Sequence, residues 1–61
     1  MLNVNIATNG AAFEDSEGVE AARILRGLAD RLEVDWLAGR PVEGVRLFDV
    51  NGNRVGELNV S

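Results

Sequence analysis

Val45-Arg46-Leu47-Phe48-Asp49-Val50-Asn51-Gly52-Asn53-Arg54-Val55-Gly56-Glu57-Leu58-Asn59-Val60 is the stretch whose reading decides the fold. Two runs rich in β-branched and aromatic residues, Val45 to Val50 and Arg54 to Val60, flank Asn51-Gly52, the strongest short-range hairpin signal. With Asn51-Gly52 as a two-residue type I′ turn, Val45 faces Leu58, Leu47 faces Gly56 and Asp49 faces Arg54 on one side. On the other side Phe48 faces Val55 and Arg46 faces Glu57. Both cross-strand charge pairs are of opposite sign, which favours this register. A type I turn from Asp49 to Gly52 with a bulge also suits Asp at the first position and Gly at the fourth, and shifts the register by one. We take the first as the expectation.

Upstream, Gly39 and Pro41 form a helix stop, and Glu14-Asp15-Ser16-Glu17 supplies carboxylates and a cap, Asp15 or Ser16, for a helix start. Between them, at 100° per residue, Ala21, Ala22, Ile24, Leu25, Leu28, Ala29, Leu32 and Trp36 share an arc of about 160°. The opposite side carries Glu20, Arg23, Gly27, Asp30 and Arg31. The pairs Glu20/Arg23, Arg26/Asp30 and Arg31/Asp35 lie at helical spacing and are worth a few tenths of a kcal/mol each. A helix from about Glu17 to Ala38 is roughly 33 Å long, against about 20 Å for a six-residue strand. Its last turns must overhang the sheet or bend. Val34 and Leu37 leave the apolar arc, so the helix either becomes irregular after Glu33 or shows an exposed patch. Gly27 lies opposite the stripe and has no packing role legible in the sequence.

At the N-terminus, Leu2, Val4 and Ile6 alternate with Asn3, Asn5 and Ala7, a strand with one buried face, and Thr8-Asn9-Gly10 ends it. The chain thus reads as a single α+β domain over residues 1–61. It is a β-α-β-β two-layer sandwich with one amphipathic helix on a three-stranded antiparallel sheet of order 2-3-1. The strands contribute Leu2, Val4, Ile6, Val45, Leu47, Leu58 and Val60 to the helix-facing core. Phe48, Val50 and Val55 are expected on the other sheet face, with nothing left to cover them.

Composition narrows the function. At 61 residues the chain has no Cys, His or Tyr, which removes disulfides, thiolate chemistry and imidazole catalysis or ligation. Ten acidic residues against six Arg give a net charge of −4, which argues against direct nucleic-acid binding. No signal peptide and no membrane-spanning run is seen, so a cytoplasmic location is expected, with no membrane association. Asp49-Val50-Asn51-Gly52-Asn53 begins like a calcium loop, but Arg54 stands where Gly is required and Val60 where a bidentate Glu is required. No phosphate-binding glycine loop occurs. One Trp and two Phe cannot line a carbohydrate cleft between paired carboxylates. The expectation is no enzyme, no metal and no cofactor.

What remains is contact. Glu14, Asp15, Glu17 and Glu20 are four of the ten carboxylates. They read either as capping and solubility or as a surface that docks on a basic partner, one that normally grips nucleic acid. Trp36 continues the stripe and is read first as a core plug; with Leu37 and Val34 beside it, it is also a candidate anchor for a partner. Phe48, Val50 and Val55 are read as an interface in a chain this small.

The segments Asn9-Gly10-Ala11-Ala12-Phe13-Glu14-Asp15, Glu20-Ala21-Ala22-Arg23-Ile24-Leu25-Arg26, Leu28-Ala29-Asp30-Arg31-Leu32 and Asp49-Val50-Asn51-Gly52-Asn53-Arg54-Val55-Gly56 together resemble short, uncharacterised bacteriophage and prophage proteins. The resemblance leaves out residues 33 to 43. It implies a small acidic, non-enzymatic protein-binding module that inhibits or modulates a host protein, for example in anti-defence roles such as anti-CRISPR inhibition. The alternative expectation is a homodimeric structural or assembly protein pairing through the exposed sheet face. The partner-binding candidates are Glu14, Asp15, Glu17, Glu20, Trp36, Leu37, Phe48, Val50 and Val55.

Overall fold

The computed structural model describes residues 1–42 and 44–61. Strand β1 (Leu2–Ile6) leads through a 3-10 turn (Ala11–Phe13) into helix α1 (Glu17–Leu37), followed by β2 (Val45–Phe48) and β3 (Arg54–Val60). The sheet is antiparallel with order β1-β3-β2, so the expected α+β arrangement and the central third strand are as read from the sequence.

The hairpin differs from the expected type I′ turn. The Gly52 N–H donates to the Asp49 carbonyl at 3.0 Å and the Asp49 N–H to the Asn53 carbonyl at 2.9 Å, with Gly52 at φ +84°. This is the type I turn closed by a left-handed glycine. Asp49 selects it: its Oδ1 accepts the N–H groups of Asn51 at 2.9 Å and Asn53 at 2.8 Å, bonds a side chain can offer its own turn. Val45↔Leu58, Arg46↔Glu57 and Leu47↔Gly56 pair as expected, but Phe48 then pairs with Arg54 across a register shift. Val55 is the extra residue. A bulge turns two successive side chains to one side, and Val55 packs against the core instead of joining Phe48 outside.

Phe13, Ile24, Leu28, Val45, Leu47 and Leu58 form the core. Phe13, unassigned by the sequence reading, sits almost fully buried at the end of the molecule where α1 begins. Gly56 allows β1 to approach: a Cβ there would lie 1.9 Å from the Asn5 carbonyl oxygen. Leu2, Val4 and Val60, expected inside, are 52%, 39% and 52% exposed.

That exposure follows from how α1 lies. Its buried positions are Glu20, Ile24, Leu28 and Asp35, with Leu32 half-buried. At 100° per residue this arc is centred about 60° away from the apolar stripe. A shallow cleft of about 200 Å³, lined by Arg23, Gly27 and Arg31 on the helix and by residues 45–48, marks the flank that faces β2. The helix therefore leans toward β2, and the stripe's other flank, Leu25, Ala29 and Trp36, faces the β1 side uncovered. The extents of 38 × 20 × 18 Å reflect a helix that outruns its sheet.

Helix α1 ends as the glycine signal requires. Gly39 is at φ +74°, its N–H reaches the Trp36 carbonyl at 3.1 Å, and the Arg40 N–H reaches the Asp35 carbonyl at 2.9 Å, a Schellman closure. At the start, Ser16 occupies the cap position but makes no side-chain capping bond.

Candidate functional site

The candidate residues separate into two groups at opposite ends of α1. From Glu20 to Trp36 the helix rises about 24 Å.

At the first end α1 is clasped to the hairpin turn. Glu20, expected on the solvated side, is 6% exposed. Its carboxylate accepts the Arg23 Nε at 2.6 Å and Nη2 at 3.2 Å, and the Val50 N–H at 2.8 Å. Arg23 also donates to the Phe48 carbonyl at 3.4 Å. Glu20 thereby satisfies a turn N–H that has no strand partner, while the guanidinium balances its charge. The Arg23 hydrogen bond first, then the Val50 N–H, hold the Glu20 carboxyl below its ordinary value against the opposing effect of burial. The same pairing raises Arg23. Glu20 is a strut between helix and turn, and its charge is already matched within the chain.

Glu14, Asp15 and Glu17 are exposed beside this clasp, as is Val50 at the tip of the turn. Phe48 is half exposed on the outer sheet face. Its neighbours there are polar: Asn3 pairs with Asn59, Asn5 with Glu57, Glu57 with Arg46, and Phe48 itself with Arg54. The expected apolar outer face of Phe48, Val50 and Val55 is thus not formed, because the bulge sends Val55 inward and the turn carries Val50 off the sheet. Asp49 has both carboxylate oxygens engaged by turn N–H groups and the Asn53 side chain.

At the other end Trp36 is 77% and Leu37 78% exposed, with Val34 at 56%. The core-plug reading of Trp36 is corrected: the lean of α1 and its overhang past the sheet leave this turn without a surface to pack on. The end is nonetheless fixed. Asp35, almost fully buried, accepts Arg31 Nε at 3.3 Å and Arg40 Nη2 at 2.9 Å, so two arginines and the Schellman closure hold the last turn. Sequence spacing shows the Arg31/Asp35 pair; the Arg40 contact arises only from the Gly39 turn.

Among the described residues no three acidic side chains gather where a metal ion would sit, and no helix is long and apolar enough to cross a membrane. Comparison with protein-family models, with curated proteins and with solved structures gave no match.

Proposed function

We propose that this chain is a non-enzymatic protein-binding module whose anchor is the end of α1, Trp36 with Leu37. The observation that carries this reading is a tryptophan and a leucine each more than three-quarters exposed on a helix turn held by ion pairs and a glycine closure. Covering these two side chains is worth on the order of 4 kcal/mol. Holding the turn in place beforehand removes part of the ordering cost of binding. Trp is also the residue type most enriched at interface hot spots.

Glu14, Asp15 and Glu17 stand at the far end of the helix, so they steer a basic partner and do not share the anchor's footprint. The partner we expect, from the acidic run and the resemblance to phage and prophage proteins, is a cytoplasmic host protein with a basic surface of the kind that grips nucleic acid. The alternative of a homodimer through the outer sheet face loses its support with the polar pairs found there.

The test is affinity capture from host cells with the wild-type chain, with Trp36→Ala/Leu37→Ala, and with Glu14→Lys/Asp15→Lys/Glu17→Lys. The expected result is a discrete partner lost at least tenfold by the first variant, and retained with slower, less salt-sensitive association by the second. A partner held equally well without Trp36 and Leu37 overturns the reading.

A further inference from the structure

The two edges of the sheet are not alike. β2 is four residues long, carries Arg46, ends at the register shift beside Phe48, and has Arg23 and Arg31 lining the cleft against it. Short length, charge and a bulge are the usual protections of an edge strand. β1, Leu2-Asn3-Val4-Asn5-Ile6, is only one residue longer, but it is uncharged, without proline or bulge, and paired only with β3 among the described residues.

Its hydrogen-bonding direction is set by the ladder. The Ser61 N–H bonds the Met1 carbonyl at 2.9 Å and the Ala7 N–H the Val55 carbonyl at 2.7 Å. Odd-numbered residues therefore face β3, and Leu2, Val4 and Ile6 turn their N–H and C=O groups to the open edge. The side chains of Leu2 and Val4 lie on the same sheet face as core Leu58 yet remain 52% and 39% exposed, next to half-exposed Val60.

The molecule also exposes more surface than its mass requires: 4392 Å², against about 3,900 Å² for a compact 6.6 kDa monomer. The excess of roughly 500 Å² is shared between the overhanging end of α1 and the open β1 side with Leu2, Val4 and Val60.

We propose that a second copy of this chain occupies the β1 edge, pairing antiparallel about a two-fold axis at Val4 to make a continuous six-stranded sheet. In this register Val4 meets Val4 of the second copy and Leu2 meets its Ile6, giving three hydrogen-bonded pairs and about six bonds. The helices stay on one side. Leu2 gains an apolar neighbour beside the second copy's 3-10 turn, where Phe13 closes the core. Because β1 carries no charge, the two-fold sets no like charges against each other, and the interface is isologous and closed. The edges left outermost are the two protected β2 strands, so pairing stops at two. The Trp36-Leu37 anchor is not used in the pairing, so this proposal stands apart from the binding reading above.

A chain of this length is accessible to chemical synthesis, which allows N-methylation of Val4. That change removes one edge N–H and leaves the β3-facing bonds untouched. Light scattering up to several hundred micromolar is expected to give the wild type at twice 6.6 kDa, and N-methyl-Val4 at the monomer mass with the same circular dichroism. Amide exchange of the wild type supplies a readout that needs no variant: Val4 and Ile6 protection should rise with concentration while Arg46 on the β2 edge does not change. A wild type that stays monomeric throughout overturns the proposal, as does an N-methyl-Val4 chain that dimerises undiminished or edge protection that ignores concentration. None of these outcomes bears on capture through Trp36.

Discussion

Replacing Gly56 with Ala puts a methyl group where β1 crosses β3. The added Cβ would stand 1.9 Å from the Asn5 carbonyl oxygen and 3.0 Å from the Ile6 Cα, where ordinary contact begins near 3.4 Å. The neighbouring groups are backbone, so no side chain can swing aside. β1 must retreat by about 1.5 Å, which stretches the 2.7 Å bond from Ala7 N–H to the Val55 carbonyl beyond bonding distance. Losing one or two ladder bonds costs about 1 kcal/mol each. The forced displacement adds about 1–3 kcal/mol, and the stiffer unfolded chain returns about 0.5 kcal/mol. The net loss is about 3 kcal/mol, out of a total of about 3–9 kcal/mol for a chain of this size. Thermal unfolding followed by circular dichroism at low micromolar concentration should show a midpoint lower by about 15 °C, or no cooperative transition. A Gly56→Ala midpoint within about 3 °C of wild type would refute the close approach of β1 and β3.

Gly27 should respond in the opposite direction: no atom lies within 4 Å of its added Cβ, and Gly27→Ala should stabilise the helix by about 1 kcal/mol, raising the melting midpoint. Glu20 sets an acid limb. Its folded carboxyl lies below the ordinary 4.5, so its contribution is fully present above that value and is lost as pH falls through the lowered one. Melting midpoints measured down to pH ~3 should fall less steeply for Glu20→Gln than for wild type, and parallel curves would contradict the clasp. Trp36→Ala should change stability by less than about 1 kcal/mol because the indole is mostly exposed. The wild-type fluorescence should be that of a water-exposed indole, and a blue-shifted emission in the monomer would place Trp36 elsewhere.

Much of the architecture is written in local pattern. The alternation of Leu2-Val4-Ile6, the 100° stripe and the Gly39 stop each name an element, and the charge pair Arg46/Glu57 names the register at the open end of the hairpin. Near the turn, pattern was not enough. Asn51-Gly52 serves two turn types, and the choice fell to Asp49, whose side chain bonds two turn N–H groups. That choice moved Val55 from one sheet face to the other and with it the expected interface. The binding candidates suffered most from the orientation of α1. Periodicity shows which helix face is apolar but not how far the helix rolls on a three-stranded sheet. Here the Glu20–Val50 bond at one end and the Asp35–Arg40 pair at the other accompany a roll that buries two carboxylates and frees Leu25 and Trp36. Spacing marked Glu20 and Asp35 as helix-surface ion pairs with Arg23 and Arg31. Their second partners come from loops whose path depends on the finished fold.

If the protein works by contact through the exposed end of α1, a side chain between Trp36 and Leu37 on the helix surface must lie against the partner. A photo-crosslinking phenylalanine derivative in place of exposed Glu33 keeps both anchors and reports on this in host cells, with the same group at exposed Arg26 as control. One discrete protein adduct from position 33 that position 26 does not give is the expected result. No adduct at 33, or the same diffuse set from both positions, would contradict contact at this end of α1.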